Sequence, residues 1–316
     1  MFISGMLRKV RLMAKISAAD IAKKTQALYG PKDKNKDIIG TGATLRRPTE
    51  DADFILIPES HPWRQLTGLK GIPYDVIVQV AGAPDSGKST VAGQFMAEAQ
   101  KQSVYVILWD TERKFDKVRY ENHFKGTAAD LNTVTTTTIR KGAGAVLKYV
   151  NTILSLDNKA KILIVHDSVG GSVSRARAER EFDDEKNAQP GSEAVENSEY
   201  MRHMIATFDK YPGQIALLLI NQMTMKIGPM PGKSRSGGEK ISFHSSMIVE
   251  MTRVQDVTKT VKGVKVKTGI ISRAKIAKNH LSQAENSVHE MRVEVDASGW
   301  HSLGEESEDE EAETEP

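Results

Sequence analysis

Four stretches of the chain are almost continuously apolar: VIVQV (76–80), VYVILW (104–109), ILIVH (162–166) and IALLLI (215–220). Runs this short, with no alternating polar face, predict strands covered on both sides. Between them, Ser89–Gln102 and Ala143–Leu156 read as helices and supply the crossovers of a parallel sheet. Segments near 246–251, 270–276 and 289–295 alternate more and predict strands that extend the sheet antiparallel. The fold class that follows is α/β, with a mostly parallel central sheet. Upstream, residues 18–29 predict a helix: Ser17 can cap it, Ile21 and Leu28 share a face, and Gly30 ends it. Residues 30–50 are turn-rich and basic, with the apolar pair Ile38–Ile39 inside. The organisation read from this pattern is a basic helix and arm over 1–50, a core over 51–303, and a low-complexity tail over 304–316, expected to be disordered.

Composition narrows the class. An apolar fraction of 39% supports a core, and the absence of cysteine excludes disulfides and thiolate metal sites. The longest wholly apolar run, Ile215–Ile220, is far short of a membrane span, so the expectation is a cytoplasmic protein with no membrane partner. The net charge of +3 hides an asymmetry. Residues 305–316 carry eight carboxylates and no cation, so the first 304 residues sum to +11. Residues 1–48 alone hold eleven Lys or Arg against three Asp. A basic body with an acidic tail predicts a polyanionic partner and a segment that competes with it.

The strongest chemical signal is Gly82-Ala83-Pro84-Asp85-Ser86-Gly87-Lys88-Ser89, followed by Thr90, between a predicted strand and a predicted helix. Glycines at this spacing let backbone N–H groups turn inward around phosphates. Lys88 can neutralise β- and γ-phosphate charge, and the Ser89 hydroxyl can ligate Mg²⁺, so ATP with Mg²⁺ is the expected cofactor pair. Asp167 ends the run ILIVH and should emerge at the carboxyl edge of the sheet, where it can hold the Mg²⁺ shell. Glu112, just past strand 104–109, is the candidate to polarise the attacking water. Asn221 and Gln222 end the strand 215–220, and a Gly-, Pro- and Lys-rich loop follows. There Lys226, Lys233 and Arg235 can meet phosphates, while Ile227 and Met230 can wedge between bases.

Together these segments resemble the RecA-type homologous recombinases, including their shorter bacteriophage versions. NQMTMKIG followed by GG (Gly237, Gly238) and KISFHSSMIVEMTR resembles that family's second DNA-binding loop, in which Gly228 also falls, and the strand after it. DTERKFD resembles the segment of the catalytic glutamate, IVHDSVG the Mg²⁺ aspartate strand, and RAKIAKN the basic strand that reaches a neighbouring subunit's ATP. The resemblance covers roughly residues 65–295. It implies that Glu112 is the base, that Asp116 contacts adenine, and that Gln222 senses the γ-phosphate. It also implies that Lys278 acts on a neighbour's nucleotide and that Arg273 and Lys275 lie near a second DNA strand. His280 stands where the family has a second lysine, and Tyr120 falls one residue late for the aromatic that stacks on adenine. The charged stretch 172–199 is longer than the family's first DNA-binding loop. The acidic tail begins soon after Trp300, where bacterial members carry a further domain, which points towards a phage or plasmid version.

The function implied is an ATP-dependent recombinase that forms a helical filament of itself on single-stranded DNA. It would pair that strand with homologous double-stranded DNA, helped by a single-strand-binding protein or loader. Other readings of the same residues are a ring helicase or accessory ATPase, a small-molecule kinase sharing only the phosphate loop, and a single-strand annealing protein.

Overall fold

The computed structural model describes Lys23 and residues 51–179, 191–226, 232–281 and 287–303. The chain divides into one unit over Met1–Arg47 and a second over Pro48–Pro316. The expected helix at 18–29, the arm and the acidic tail lie outside the described residues, apart from helical Lys23.

The strands of the second unit are β1 (Phe54–Leu56), β2 (Gly71–Pro73), β3 (Ile77–Gly82), β4 (Tyr105–Asp110), β5 (Leu131–Val134), β6 (Ile162–Asp167), β7 (Ile215–Lys226), β8 (Gly232–Arg235), β9 (Met247–Val261), β10 (Val264–Asn279), β11 (Glu290–Asp296) and β12 (Trp300–Ser302). The α-helices are α1 (Pro62–Thr67), α2 (Lys88–Lys101), α3 (Lys117–Arg119), α4 (Ile139–Leu156), α5 (Arg175–Ala178), α6 (Ser192–Lys210) and α7 (Glu239–His244). None of the helices among the described residues is long and apolar enough to cross a membrane.

The large sheet runs β12-β11-β10-β9-β3-β7-β6-β4-β5. From β9 through β5 every neighbouring pair is parallel, whereas β9–β10, β10–β11 and β11–β12 are antiparallel. The four apolar runs are its central strands. Both of their faces are covered, which is why they lack a polar alternation. Val78, Val80, Leu108, Leu163 and Val165 pack with Phe95 and Met96 of α2. Ile77, Ile107, Trp109, Ile164 and Leu217 pack with Val150 of α4 and Tyr200 and Met204 of α6.

Two expectations need correction. The strand near 246–251 does not join antiparallel: β9 pairs parallel with β3, Val78 opposite Met247 and Gly82 opposite Met251. The helical turn α7 returns the chain to the amino edge before β9 starts, and that is the geometry a parallel neighbour requires. The stretch after Gln222 is not only a loop. β7 continues to Lys226 and pairs back on β8, from Met223 opposite Arg235 to Lys226 opposite Gly232. The pairing is local: the chain reverses on itself and the backbone N–H and C=O groups of the two short strands satisfy each other.

Candidate functional site

β3 delivers Gly82 to the carboxyl edge, and α2 starts six residues later at Lys88, capped by Gly87 at φ 91°. A Cβ on Gly82 would lie 2.4 Å from the Met251 carbonyl oxygen and 2.7 Å from Ser86 Oγ, so glycine is required by close approach. The loop is braced from behind. Ser272 Oγ donates to the Ser86 carbonyl at 3.0 Å, and Trp300 Nε1 donates to the Gly87 carbonyl at 3.1 Å. Ala83, Pro84, Asp85 and Ser89 remain exposed, while Ser86, Lys88 and Thr90 are buried. Lys88 Nζ donates to the Ala83 carbonyl at 2.6 Å, lying across the loop it would use to hold phosphate. Burial lowers the pKa of its ammonium, against the pull of Asp167, Glu112 and Asp85.

Asp167 closes β6 next to this loop and is hydrogen-bonded by the Ser89 side chain. Burial raises its pKa to about 6; Glu112 and Asp110 push the same way. The Ser89 hydrogen bond and the charge of Lys88 oppose the rise only in part. With the Ser89 hydroxyl, Asp167 offers hard oxygen donors that suit Mg²⁺. Among the described residues no group of three or more His, Cys, Asp or Glu is placed to hold a metal ion.

Glu112 sits in the turn after β4, and Asp110 shapes that turn. Asp110 accepts the backbone N–H of Glu112 (3.1 Å) and Lys114 (3.3 Å) on one oxygen and that of Phe115 (3.0 Å) on the other. Glu112 Oε1 accepts Ser168 Oγ at 2.6 Å and the Gln222 amide, and Oε2 accepts Lys114 Nζ at 2.7 Å. Burial alone would raise this carboxyl's pKa. The bonds from Lys114, Ser168 and Gln222 outweigh burial and hold it below its ordinary range. Thr111 locks the opposite side of Ser168: its hydroxyl donates to the Ser168 carbonyl (2.8 Å) and accepts the Ser168 N–H (2.9 Å). Sequence reading missed Asp110, Thr111 and Ser168. A polar residue on each side of the two named carboxylates was the available signal.

Beside the turn lies a cleft of about 140 Å³, polar at Ser89, Glu112 and Asp167 and apolar at Met96, Phe115 and Tyr120. Asp116 lines it and caps α3 through the Arg119 N–H at 2.9 Å. Tyr120 also lines it, but its ring is 1% exposed and its hydroxyl donates to Gln100 at 2.9 Å. His166, which precedes the aspartate, is fully buried and stacks on Trp109 at 3.9 Å.

Lys88, Ser89, Asp167, Glu112 and Gln222 thus meet at the carboxyl ends of β3, β6, β4 and β7. Gln222 also anchors the β7–β8 hairpin, because its carbonyl accepts the Ser236 N–H at 3.0 Å. Lys226 and Lys233 lie on the hairpin strands; Ile227, Gly228 and Met230 are outside the described residues. Arg235 is tied to Glu250. Gly237 and Gly238 have φ of 85° and 92°, and a Cβ on either would press on Val169 and Ile241 or on Ala194.

The remaining basic residues lie elsewhere. Lys278 and His280 follow the rows of Ile248 and Ser246, level with the start of β3 and on the opposite edge from the phosphate loop. Lys278 Nζ donates to the carbonyls of Ser242 (3.0 Å) and Phe243 (2.8 Å) at the end of α7, and the Phe243 side chain is 70% exposed. Arg273 and Lys275 are exposed on β10, 3.6 and 3.9 Å from Glu290 of β11.

The family model described as RecA N-terminal domain matches residues 56–294. Protein RecA of Roseiflexus castenholzii is 28% identical over 217 residues, covering 68% of this chain and 57% of that protein. Protein RecA of Sinorhizobium medicae is 30% identical over the same length, covering 68% and 56%. The chain thus spans a little over half the length of the curated relatives it matches. A family model that runs from β1 to β11, through both the phosphate loop and the hairpin, leaves one conclusion: the chain belongs to the RecA N-terminal domain family.

Proposed function

We propose that this protein is a DNA-dependent ATPase that assembles as a helical filament on single-stranded DNA and promotes pairing and strand exchange with homologous duplex. One observation carries the reading: the Gln222 amide bonds directly to the Glu112 carboxylate, and the same strand runs on into the β7–β8 hairpin. Any movement of Gln222 towards a γ-phosphate must release Glu112 and shift the base of the hairpin. Nucleotide state and hairpin position then share one element, which is the requirement for coupling two sites.

In this reading Lys88 and the loop N–H groups hold the β- and γ-phosphates, and Asp116 and Tyr120 border the base. Ser89 and Asp167 would hold Mg²⁺, which supplies charge neutralisation at the phosphates when bound. Glu112, kept ionised by its three partners, accepts a proton from the attacking water. The β7–β8 hairpin, with Lys226, Lys233 and Gly237–Gly238, forms the single-strand surface together with Ile227, Gly228 and Met230. Lys278 and His280 face away from their own nucleotide, so they act on a neighbour's. Arg273 and Lys275 face the incoming duplex. Such a protein works in the cytoplasm, with a single-strand-binding protein or loader as its partner.

ATP turnover with and without single-stranded DNA, followed by electron microscopy of the ATP-bound product, tests the reading. Stimulated turnover and helical filaments are expected. Closed rings, or turnover indifferent to DNA, would overturn it.

A further inference from the structure

β9 and β10 are longer than the sheet requires. Met251 pairs with Gly82 at the end of β3, and Gly269 pairs with Asp296 at the end of β11. Past those rows the two strands pair only with each other, through Lys267–Thr258, Val266–Lys259, Lys265–Thr260 and Val264–Val261. They close through Lys262 and Gly263, with φ of 50° and 80°, as in the tight two-residue turns that match strand twist. At about 3.4 Å per residue, the stretch from Met251 to the turn carries the tip roughly 30 Å beyond the carboxyl edge. That is the edge where the phosphate loop and the β7–β8 hairpin lie.

The ribbon is uncovered on both faces. Val261, Val264 and Val266 are 44–63% exposed. Residues 253–267 hold five cations, Arg253, Lys259, Lys262, Lys265 and Lys267, against the single carboxylate of Asp256. Asp256 takes up Arg253 and, at 3.0 Å, Lys267. Lys259, Lys262 and Lys265 meet no carboxylate among the described residues. Strand alternation puts Lys259 and Lys265 on opposite faces, and Lys262 sits at the tip. A flat acidic surface could neutralise only one of those faces. A groove with phosphates along both walls neutralises both faces at once.

We propose that the β9–β10 ribbon is a duplex-DNA docking element that enters the major groove, separate from the single-strand surface on the β7–β8 hairpin. The major groove is about 12 Å wide and 8.5 Å deep and admits a two-stranded β-ribbon. The lysines contact the phosphate walls. Thr258 and Thr260 share the face of Lys265, and Val261, Val264 and Val266 that of Lys259, so hydroxyls line one wall of the groove and methyl groups the other. The element brings duplex to the edge of the sheet where the proposed function places the single strand; it rests on that reading only for this purpose, since duplex binding is measured by itself.

The test uses the full chain with Lys259→Gln, Lys262→Gln and Lys265→Gln combined, and follows binding of a short duplex and of an oligo-dT strand across a KCl series. Each phosphate contact contributes about 0.9 to the slope of log affinity against log salt. The duplex slope should flatten by about 2–3, with the oligo-dT slope unchanged and the triple Lys→Arg variant restoring the parent slope. An unchanged duplex slope, or equal losses for duplex and oligo-dT, would overturn the proposal. So would a Val261→Asp, Val264→Asp variant that dissolves self-association while the lysine triple leaves duplex binding alone, because the ribbon would then be a protein contact. If oligo-dT does not bind at all but the duplex slope still flattens, the ribbon assignment stands and the single-strand assignment fails.

Discussion

The two halves of the large sheet handle charge in opposite ways. At the carboxyl edge of the parallel half, Glu112 is engaged by Lys114, Ser168 and Gln222, Asp110 by three backbone N–H groups, and Lys88 by the Ala83 carbonyl. On the antiparallel side, the β9–β10 ribbon extends into solvent with three lysines that meet no carboxylate among the described residues. Buried or half-buried charge must be satisfied internally, because desolvation costs several kcal/mol per unpaired ion. Exposed charge is already satisfied by water and stays available for an outside partner. The first arrangement suits chemistry on a bound molecule, and the second suits recognition of a large polyanion.

This contrast can be broken by substitution, and the largest effect is expected at Glu112. Glu112→Gln should lower ATP turnover by about 10²–10⁴, the usual worth of a general base, while Mg-ATP binding survives. Phosphate release and binding of a fluorescent nucleotide separate the two; near-parent turnover would move the base elsewhere. Gln222→Ala should keep nucleotide binding but lose the gain in DNA affinity that ATP gives, a coupling that typically amounts to about 5–150-fold. Anisotropy of labelled oligo-dT with and without a non-hydrolysable ATP analogue measures it. Ser168→Ala removes a bond to an ionised carboxylate, worth about 1.5–3 kcal/mol. Turnover should fall roughly tenfold and the pH at which the base titrates should rise, a shift that a merely structural loss would not produce.

His61 lies at the seam between the halves, stacked on Trp300 of β12 and bonded to Gln94 of α2 at 3.2 Å. Burial lowers its pKa to about 4, and the Gln94 bond only partly opposes this. Its Nδ1 accepts the Trp63 N–H at 3.1 Å and so caps α1. The folded chain keeps His61 neutral where the unfolded chain would protonate it. Its contribution is therefore complete above about pH 6.5 and is lost as pH falls through about 4, at up to 1.36 kcal/mol per pH unit. Thermal melts of the nucleotide-free protein should show this loss. His61→Asn, which can still cap, should flatten it. The smallest effect is expected on the ribbon: the Lys259, Lys262 and Lys265 triple should alter unfolding free energy by less than about 0.5 kcal/mol, since exposed charges carry little stability. A larger change would mean that the lysines hold the ribbon together.

Much of the parallel half is written in local sequence. VIVQV, ILIVH and IALLLI are short, apolar and unbroken, and a strand covered on both faces needs nothing more. The eight residues 82–89 announce a phosphate loop because its chemistry requires glycines and a lysine at fixed spacing. Asp167 and Glu112 could be named because each follows such a strand, and strand ends point to one edge. The antiparallel half was legible only as alternation. VQDVTKTVKGVKVKT looks much the same whether it lies within a sheet or projects beyond one, since both conformations are extended and both alternate side chains. Its freedom from the sheet depends on where β3 and β11 stop, which is set by residues far away in the chain.

The sequence by itself determined the phosphate loop, the buried strands and the identity of the residues at their ends, because those depend on spacing and on burial of neighbouring side chains. Tertiary structure alone decided that β9 runs parallel to β3, that Ser168 and Gln222 converge on one oxygen of Glu112, and that Lys278 sits on the far edge from Lys88. Each of these is a spatial relation between residues dozens of positions apart. Its formation depends on strand order and register, which no local pattern of residues encodes.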